Sequence, residues 1–290
     1  MQPPVPGPVV GFDLDLTLVD SAPGIARTMR AALAAEQAGD WPPGEPTDEV
    51  LRPNIGIPLE ASVRLLAPDA DVDRVVAAYR RLYPELGVPG TVLLPGVAEA
   101  FAAVRAAGGR VLVVSAKTQA AVHAVLAHVG LGPGPLAPDR VAGDRFAGQK
   151  GRLLRREGAH AYVGDHPGDM EAARVARATA VAVLTGGAGE EELRASGADV
   201  VLPGLAAFPR WLETWWRERS GAAASGAGLD DQPRERHGEA DGAQQGQRGE
   251  HARGRALAGP HRQGHAEREQ PHEEDHATGG DEAAGAAVGG

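Results

Sequence analysis

The 290-residue sequence predicts an α/β protein: a doubly wound parallel sheet, an all-helical insertion after the first strand, and a disordered C-terminal tail. Three observations carry this. From Val97 to Trp216 short apolar runs alternate with helical segments, and such alternation builds a parallel sheet covered on both faces. Over residues 20–88 the apolar positions keep a helical spacing, with no convincing strand among them. After Gly221 there is no Ile, Phe, Tyr, Trp or Met, and only Leu229, Leu257 and Val288 represent Leu and Val. A segment so poor in apolar surface cannot offset the entropy of ordering itself. The expected boundaries are 1–19 and 89–220 for the α/β core, 20–88 for the helical insertion and 221–290 for the low-complexity tail.

Taken in order, Val9-Val10 opens a short β-branched run that ends abruptly in acids, as a buried strand does when it delivers carboxylates to a sheet edge. Ser21 and Pro23 start a helix whose apolar face is Ile25, Met29, Ala32 and Leu33, and Gly39 ends it. Residues 41–46 read as a loop. Residues 47–52, 59–67 and 71–86 read as helices, the last from Val72, Val75, Val76, Tyr79 and Leu82-Tyr83 at helical spacing. Then come a helix over 97–107, a buried-type strand over 110–115, a helix over 119–129 and a brief strand over 140–143. A helix over 151–157, a strand over 160–165 and a helix over 170–178 follow. The domain closes with a strand over 180–184, a helix over 190–195, a strand over 199–202 and a helical stretch over 205–216.

The formal charge of −10 argues against a nucleic-acid partner, and the absence of cysteine excludes disulfide and thiolate chemistry. No run of about 18 apolar residues is present, so no membrane span or membrane partner is expected. Met1 to Pro6 carries no basic region of the kind that opens a signal peptide, so a cytoplasmic protein is expected. Six of the ten histidines fall in the tail without the fixed spacing of a metal site.

In parallel sheets covered on both faces, ligands sit at the carboxyl ends of the strands. The polar residues expected there are Asp13, Ser115 and Asp165. Asp13 and Asp15 are two residues apart, so in extended chain their side chains point the same way. Carboxylates this close share a cation or a proton, or take different roles. Asp13, Asp15 and Asp165 together offer an oxygen-rich site of the kind that suits Mg²⁺, and Asp169 lies one turn beyond Asp165. Ser115 ends a strand before a helix, where a hydroxyl and backbone N–H groups can hold phosphate oxygens. The chain has only two lysines, Lys117 and Lys150. Lys150 reads as a loop residue just ahead of a helix, placed to face Asp13 as a compact positive charge.

Phe12-Asp13-Leu14-Asp15-Leu16-Thr17-Leu18, Ser115, Lys150-Gly151 and Gly164-Asp165-His166-Pro167-Gly168-Asp169 resemble, in order, the four motifs of the haloacid-dehalogenase-like superfamily. The resemblance covers about 8–210. The helical insertion looks like the cap of the phosphoglycolate-phosphatase-like branch, and Asn54 to Glu60 is similar to a cap segment common there. The resemblance implies a Rossmann-like core and a Mg²⁺-dependent phosphatase acting on a small phosphorylated metabolite, with phosphoglycolate the leading analogy. It implies that Asp13 is the nucleophile and that Asp15 serves first as acid and then as base, its backbone carbonyl on the metal. It further implies that Ser115 and the Ala116 N–H hold phosphoryl oxygens, that Lys150 stabilises charge there, and that Asp165 is a metal ligand backed by Asp169. Two departures stand out: Leu16 replaces a frequent Gly, and Ser115-Ala116-Lys117 stands where Thr-Asn is common.

A nucleotidase, a sugar-phosphate mutase and a non-catalytic receiver-like module share parts of this pattern. A mutase needs a second phosphate clamp, and no Arg lies within Ile55 to Leu59; a receiver needs no insertion after its first strand. Asp20 and Ser21 read as helix caps, His166 as a loop residue, His123 and His128 as surface or packing residues, and Trp211, Trp215 and Trp216 as core. Lys117 reads equally as a solvated helix start and as a site residue. Arg52 and Asn54 read equally as candidates for substrate contact and as a solvated loop.

Overall fold

A computed structural model describes residues 7–36 and 46–224. The expected helix stop at Gly39, most of the loop over 41–46 and the tail from 225 onward lie outside the described residues, whereas residues 221–224, expected to open the tail, continue the closing helix.

Strand β1 (Val9–Phe12) runs into the acidic segment and is followed by the two-residue β2 (Val19–Asp20). Helices α1 (Ala22–Ala35), α2 (Asp48–Leu51), α3 (Leu59–Leu66) and α4 (Val72–Leu86) come next, with a 3-10 turn at Arg52–Asn54. The chain returns through β3 (Val92–Leu93), which pairs antiparallel with β2. Sequence reading did not foresee this ribbon, because two residues carry no periodicity. It ties together the two strands of chain that enter and leave the helical insertion.

Strand and helix then alternate: α5 (Val97–Ala106), β4 (Arg110–Val114), α6 (Gln119–His128), β5 (Arg140–Ala142), α7 (Gly148–Arg156), β6 (Ala161–Gly164), α8 (Pro167–Ala176), β7 (Thr179–Val183), α9 (Glu190–Ala195), β8 (Val200–Leu202) and α10 (Phe208–Ala224). The six long-range strands form one parallel sheet in the order β5-β4-β1-β6-β7-β8. Burial explains why both faces are covered. Val111 and Val113 of β4 enter one apolar cluster while Leu112 and Val114 enter the other. Val181 and Val183 of β7 likewise oppose Ala180 and Ala182. A strand buried on both faces must be apolar throughout, which is why these runs lack the alternation of a half-exposed strand. On the first face Phe12 lies between Phe101 and Phe208, with ring centroids 5.3 Å from each.

Two helices begin earlier than the sequence suggested. Helix α7 starts at Gly148, so Lys150 lies in its first turn and not in a preceding loop. Helix α8 starts at Pro167, so Asp169 lies in its first turn, and His166 is its N-cap rather than a plain loop residue. Gly and Pro look like turn residues in sequence, yet Pro is well suited to a helix start because its missing N–H is not needed there. Trp211, Trp215 and Trp216 are half-buried along α10, with Trp216 edge-on to His160; His123 and His128 are exposed. Among the described residues no helix is long and apolar enough to cross a membrane.

Candidate active site

The sheet order reverses direction at β1, whose neighbours β4 and β6 belong to the two halves of the winding. A crevice opens at such a switch point, at the carboxyl ends of the strands. Register places Phe12 beside both Val113 and Val163. Asp13, Ser115 and Asp165 therefore leave the sheet at one edge, and the Asp13 N–H donates to the Val163 carbonyl at 2.8 Å.

Lys150 is the centre of the charge arrangement. Its Nζ donates to Asp13 Oδ1 at 2.8 Å and to Asp169 Oδ1 at 2.7 Å, and it is 2 % exposed. The Tyr162 ring, fixed by its hydroxyl donating to the Val114 carbonyl, lies 5.7 Å from the same nitrogen. Burial alone lowers the pKa of an ammonium, but Asp13 and Asp169 outweigh it and hold Lys150 well above its usual range. Burial pushes the Asp13 carboxyl up to about 7, with Asp169 and Asp15 adding to the rise and Lys150 opposing it. Burial also pushes Asp165 well up, reinforced by Asp169 and Asp13.

Asp13, Asp165 and Asp169 bring one oxygen each to within 4.8 Å of one another, all three buried. With all three ionised, the single Lys150 ammonium would leave two negative charges unbalanced, and a divalent cation at the cluster would balance them. The all-oxygen donor set and that charge fit a hard divalent cation such as Mg²⁺. Asp169 is spoken for on both oxygens, since Oδ2 accepts the His166 N–H while His166 Nδ1 accepts the Gly168 N–H. Asp165 is steadied by the Thr17 hydroxyl, which donates to its Oδ1 at 2.6 Å. The acids can approach this closely because glycines flank them: a Cβ on Gly164 would lie 2.4 Å from the Asp169 carboxyl carbon, and one on Gly186 would lie 2.0 Å from Asp165 Oδ2.

Asp15 forms a second cluster beside the first. Ser21 Oγ donates to its Oδ1 at 2.6 Å, and Lys117 Nζ lies 3.0 Å from Oδ1 and 3.1 Å from Oδ2. Ser21 makes no side-chain cap on α1, so its part is to hold Asp15; Asp20 accepts the Ala22 N–H instead. Lys117 joins the site, its ammonium also lying 4.6 Å from the centre of the Tyr83 ring contributed by α4. Its being one of only two lysines was the available signal. Ser115 is 1 % exposed, and its Oγ accepts the Lys117 N–H at 3.2 Å.

Leu16 adopts φ +57, the left-handed region, which costs a β-carbon-bearing residue roughly 1 kcal/mol. The turn survives because Leu16 is buried, its N–H donates to the Val19 carbonyl at 2.7 Å, and its carbonyl accepts the Thr185 hydroxyl at 2.5 Å. Arg52 donates to the Thr185 carbonyl at 3.0 Å, tying the insertion to this same turn. Asn54 donates to Val50. Thr17 stands inside the first motif but carries no assigned role there, and Thr185 had no sequence signal: an isolated threonine announces nothing until its partner is known.

The acid cluster carries a prediction for the metal-free protein. A carboxyl whose folded pKa is raised from 3.8 to about 7 leaves the folded state holding more protons than the unfolded state between those values. Stability therefore falls as pH rises through that window and stays low above it. Without divalent cation, melting at about pH 8 should lie roughly 5 °C or more below that at about pH 5.5, and Mg²⁺ should remove most of the difference. A melting temperature independent of pH and of Mg²⁺ would contradict the arrangement.

Residues 10–174 match the haloacid dehalogenase-like hydrolase family. The chain is 31% identical over 123 residues to the tyrosine-protein kinase PtkA of Mycobacterium tuberculosis, and spans 40% of that protein's length. It is 32% identical over 222 residues to a plasmid-borne phosphoglycolate phosphatase of Cupriavidus necator, covering 72% of this chain and 94% of that one. Among solved structures, a haloacid dehalogenase-like family hydrolase from Streptococcus pneumoniae superposes with a TM-score of 0.60 at 19% identity, over 72% of this chain and 98% of the other. The matched span runs from the strand that delivers Asp13 to the helix that carries Asp169, and on that match the chain belongs to the haloacid dehalogenase-like hydrolase family.

Proposed function

We propose that the protein is a Mg²⁺-dependent phosphatase that hydrolyses a small phosphorylated metabolite through an aspartyl-phosphate on Asp13. The observation that carries this reading is the buried Lys150 bridging Asp13 and Asp169, with the Asp165 carboxyl beside them. An Asp13 oxygen attacks phosphorus, the bond from phosphorus to the leaving oxygen breaks, and Asp15 supplies the proton that oxygen needs. Water then attacks the phosphoryl group, Asp15 takes its proton, and Asp13 is released with inorganic phosphate. Asp13, Asp165 and the Asp15 carbonyl would hold Mg²⁺, with Asp169 behind them keeping Lys150 in place. Mg²⁺ supplies screening between the anionic nucleophile and the anionic ester. Ser115 and the Ala116 N–H would receive phosphoryl oxygens, and Lys150 would balance the charge that builds between Asp13 and phosphorus.

The name of the Cupriavidus necator relative makes phosphoglycolate the first ester to test. Incubation with Mg²⁺ and a panel of phosphate monoesters should release inorganic phosphate, and chelation should stop it. Release to water, not transfer to a tyrosine hydroxyl, separates this reading from the activity in the name of PtkA. An absence of release from every ester would sink it.

A further inference from the structure

Between the helical insertion and the core lies a cavity of about 780 Å³ that begins at Asp15, Ala116 and Lys117. It therefore opens on the side of the site where the leaving group of an ester would lie. Pockets of this size hold drug-sized molecules, whereas a two-carbon acid fills a small part of one. The wall is mostly apolar, with Ile25 and Met29 from α1, Ile55 and Ile57 from the segment after α2, Tyr83 from α4 and Phe146 from the loop before α7.

The charges on this wall do not favour a second anion. Three acids, Asp15, Glu60 and Asp144, balance three bases, Arg80, Lys117 and Arg145. Arg80 is held by Glu60 at 2.8 Å and Lys117 by Asp15 at 3.0 Å, while Arg145 donates to the Asp144 carbonyl at 2.8 Å. A carboxylate entering here meets at most one unbalanced cation, Lys117 when Asp15 carries its catalytic proton, and gives up its hydration against hydrocarbon. An alkyl or aryl group gains instead, because it removes apolar wall from water.

We propose that the ester this pocket accepts is that of an uncharged, largely apolar alcohol of medium length, and that phosphoglycolate is a poor substrate. The proposal rests on the phosphatase reading and adds to it the chemical class of the leaving group.

The test is a homologous series in which reactivity is constant and only buried surface varies. With Mg²⁺ present, kcat/KM for ethyl, butyl, hexyl and octyl phosphate should rise by about three- to fourfold per methylene until the cavity is filled. Phosphoglycolate should fall below hexyl phosphate. A flat or falling series with phosphoglycolate as the better substrate overturns the assignment and leaves the phosphatase reading standing. Binding of the matching n-alkylphosphonates, measured by calorimetry, tests the pocket without turnover. Affinity that rises with length upholds the ligand class even if no ester is hydrolysed, in which case the phosphatase reading alone fails. Affinity independent of length overturns the class. Leu59→Asp, which places a charge on a half-buried part of the wall, should flatten both slopes; unchanged slopes put the chain elsewhere and overturn the assignment.

Discussion

Asp13→Asn is expected to lower kcat by at least about 10⁴-fold while leaving the melting temperature of the metal-free protein unchanged or higher. The two effects have separate causes. An amide oxygen is a poor nucleophile toward phosphorus, so the covalent step is lost. The amide still accepts the Lys150 hydrogen bond, so the fold keeps that link. It also removes a carboxylate whose charged form burial disfavours, which is why metal-free stability should not fall. Phosphate release and thermal unfolding of both proteins, with and without Mg²⁺, check this. Retained turnover would remove Asp13 from the reaction, and a large loss of stability would mean that its role is structural.

Lys150→Met is expected to be the most damaging single change to the fold at this edge of the sheet. Methionine matches the stem in length but leaves Asp13 and Asp169 without their shared cation, both fully enclosed. Breaking a buried pair by removing one partner typically costs about 3–5 kcal/mol, because the remaining charge is uncompensated. The cost should be largest above neutral pH, where the Asp13 carboxyl is driven to ionise, and Mg²⁺ should recover part of it. Turnover should fall by about 10²-fold or more even under conditions where the variant is folded. Lys150→Arg should rescue little, since a planar guanidinium does not fit a space built for a compact ammonium beneath the Tyr162 ring. Denaturant midpoints at two pH values, read with phosphate release, separate the two effects. A Met variant as stable as the parent protein would show that the acids are not a coupled cluster.

Most of the elements were readable in advance, and the reason is local. Runs such as Val111 to Val114 and Val181 to Val183 are apolar at every position, and only a strand covered on both faces demands that. Helix α9 matches its expected bounds because Gly189 and Gly197 bracket a short acidic-to-basic segment. The readings that shifted were the end of α10, which runs on to Ala224, and the starts of α7 and α8. Gly148 and the Pro167-Gly168 pair look like loop in sequence, but both sit in first turns where tertiary contacts supply what propensity does not. The shift matters chemically, because it puts Lys150 and Asp169 on the rigid first turns of adjacent helices rather than in loops.

By itself, the order of residues determined the parallel α/β core, the helical insertion and the identity of the acids and the hydroxyl at the strand ends. Each of these is written in periodicity or in residues a few positions apart. Only the tertiary structure decided that Lys117 pairs with Asp15, that Ser21 and Thr17 hold carboxylates, that Arg52 reaches Thr185, and that the space beyond Asp15 is walled by hydrocarbon. These contacts join segments up to 148 residues apart, as for Thr17 and Asp165, and 133 apart for Arg52 and Thr185. No local pattern encodes such a pair, because the free energy that selects it comes from packing the insertion onto the core as a whole.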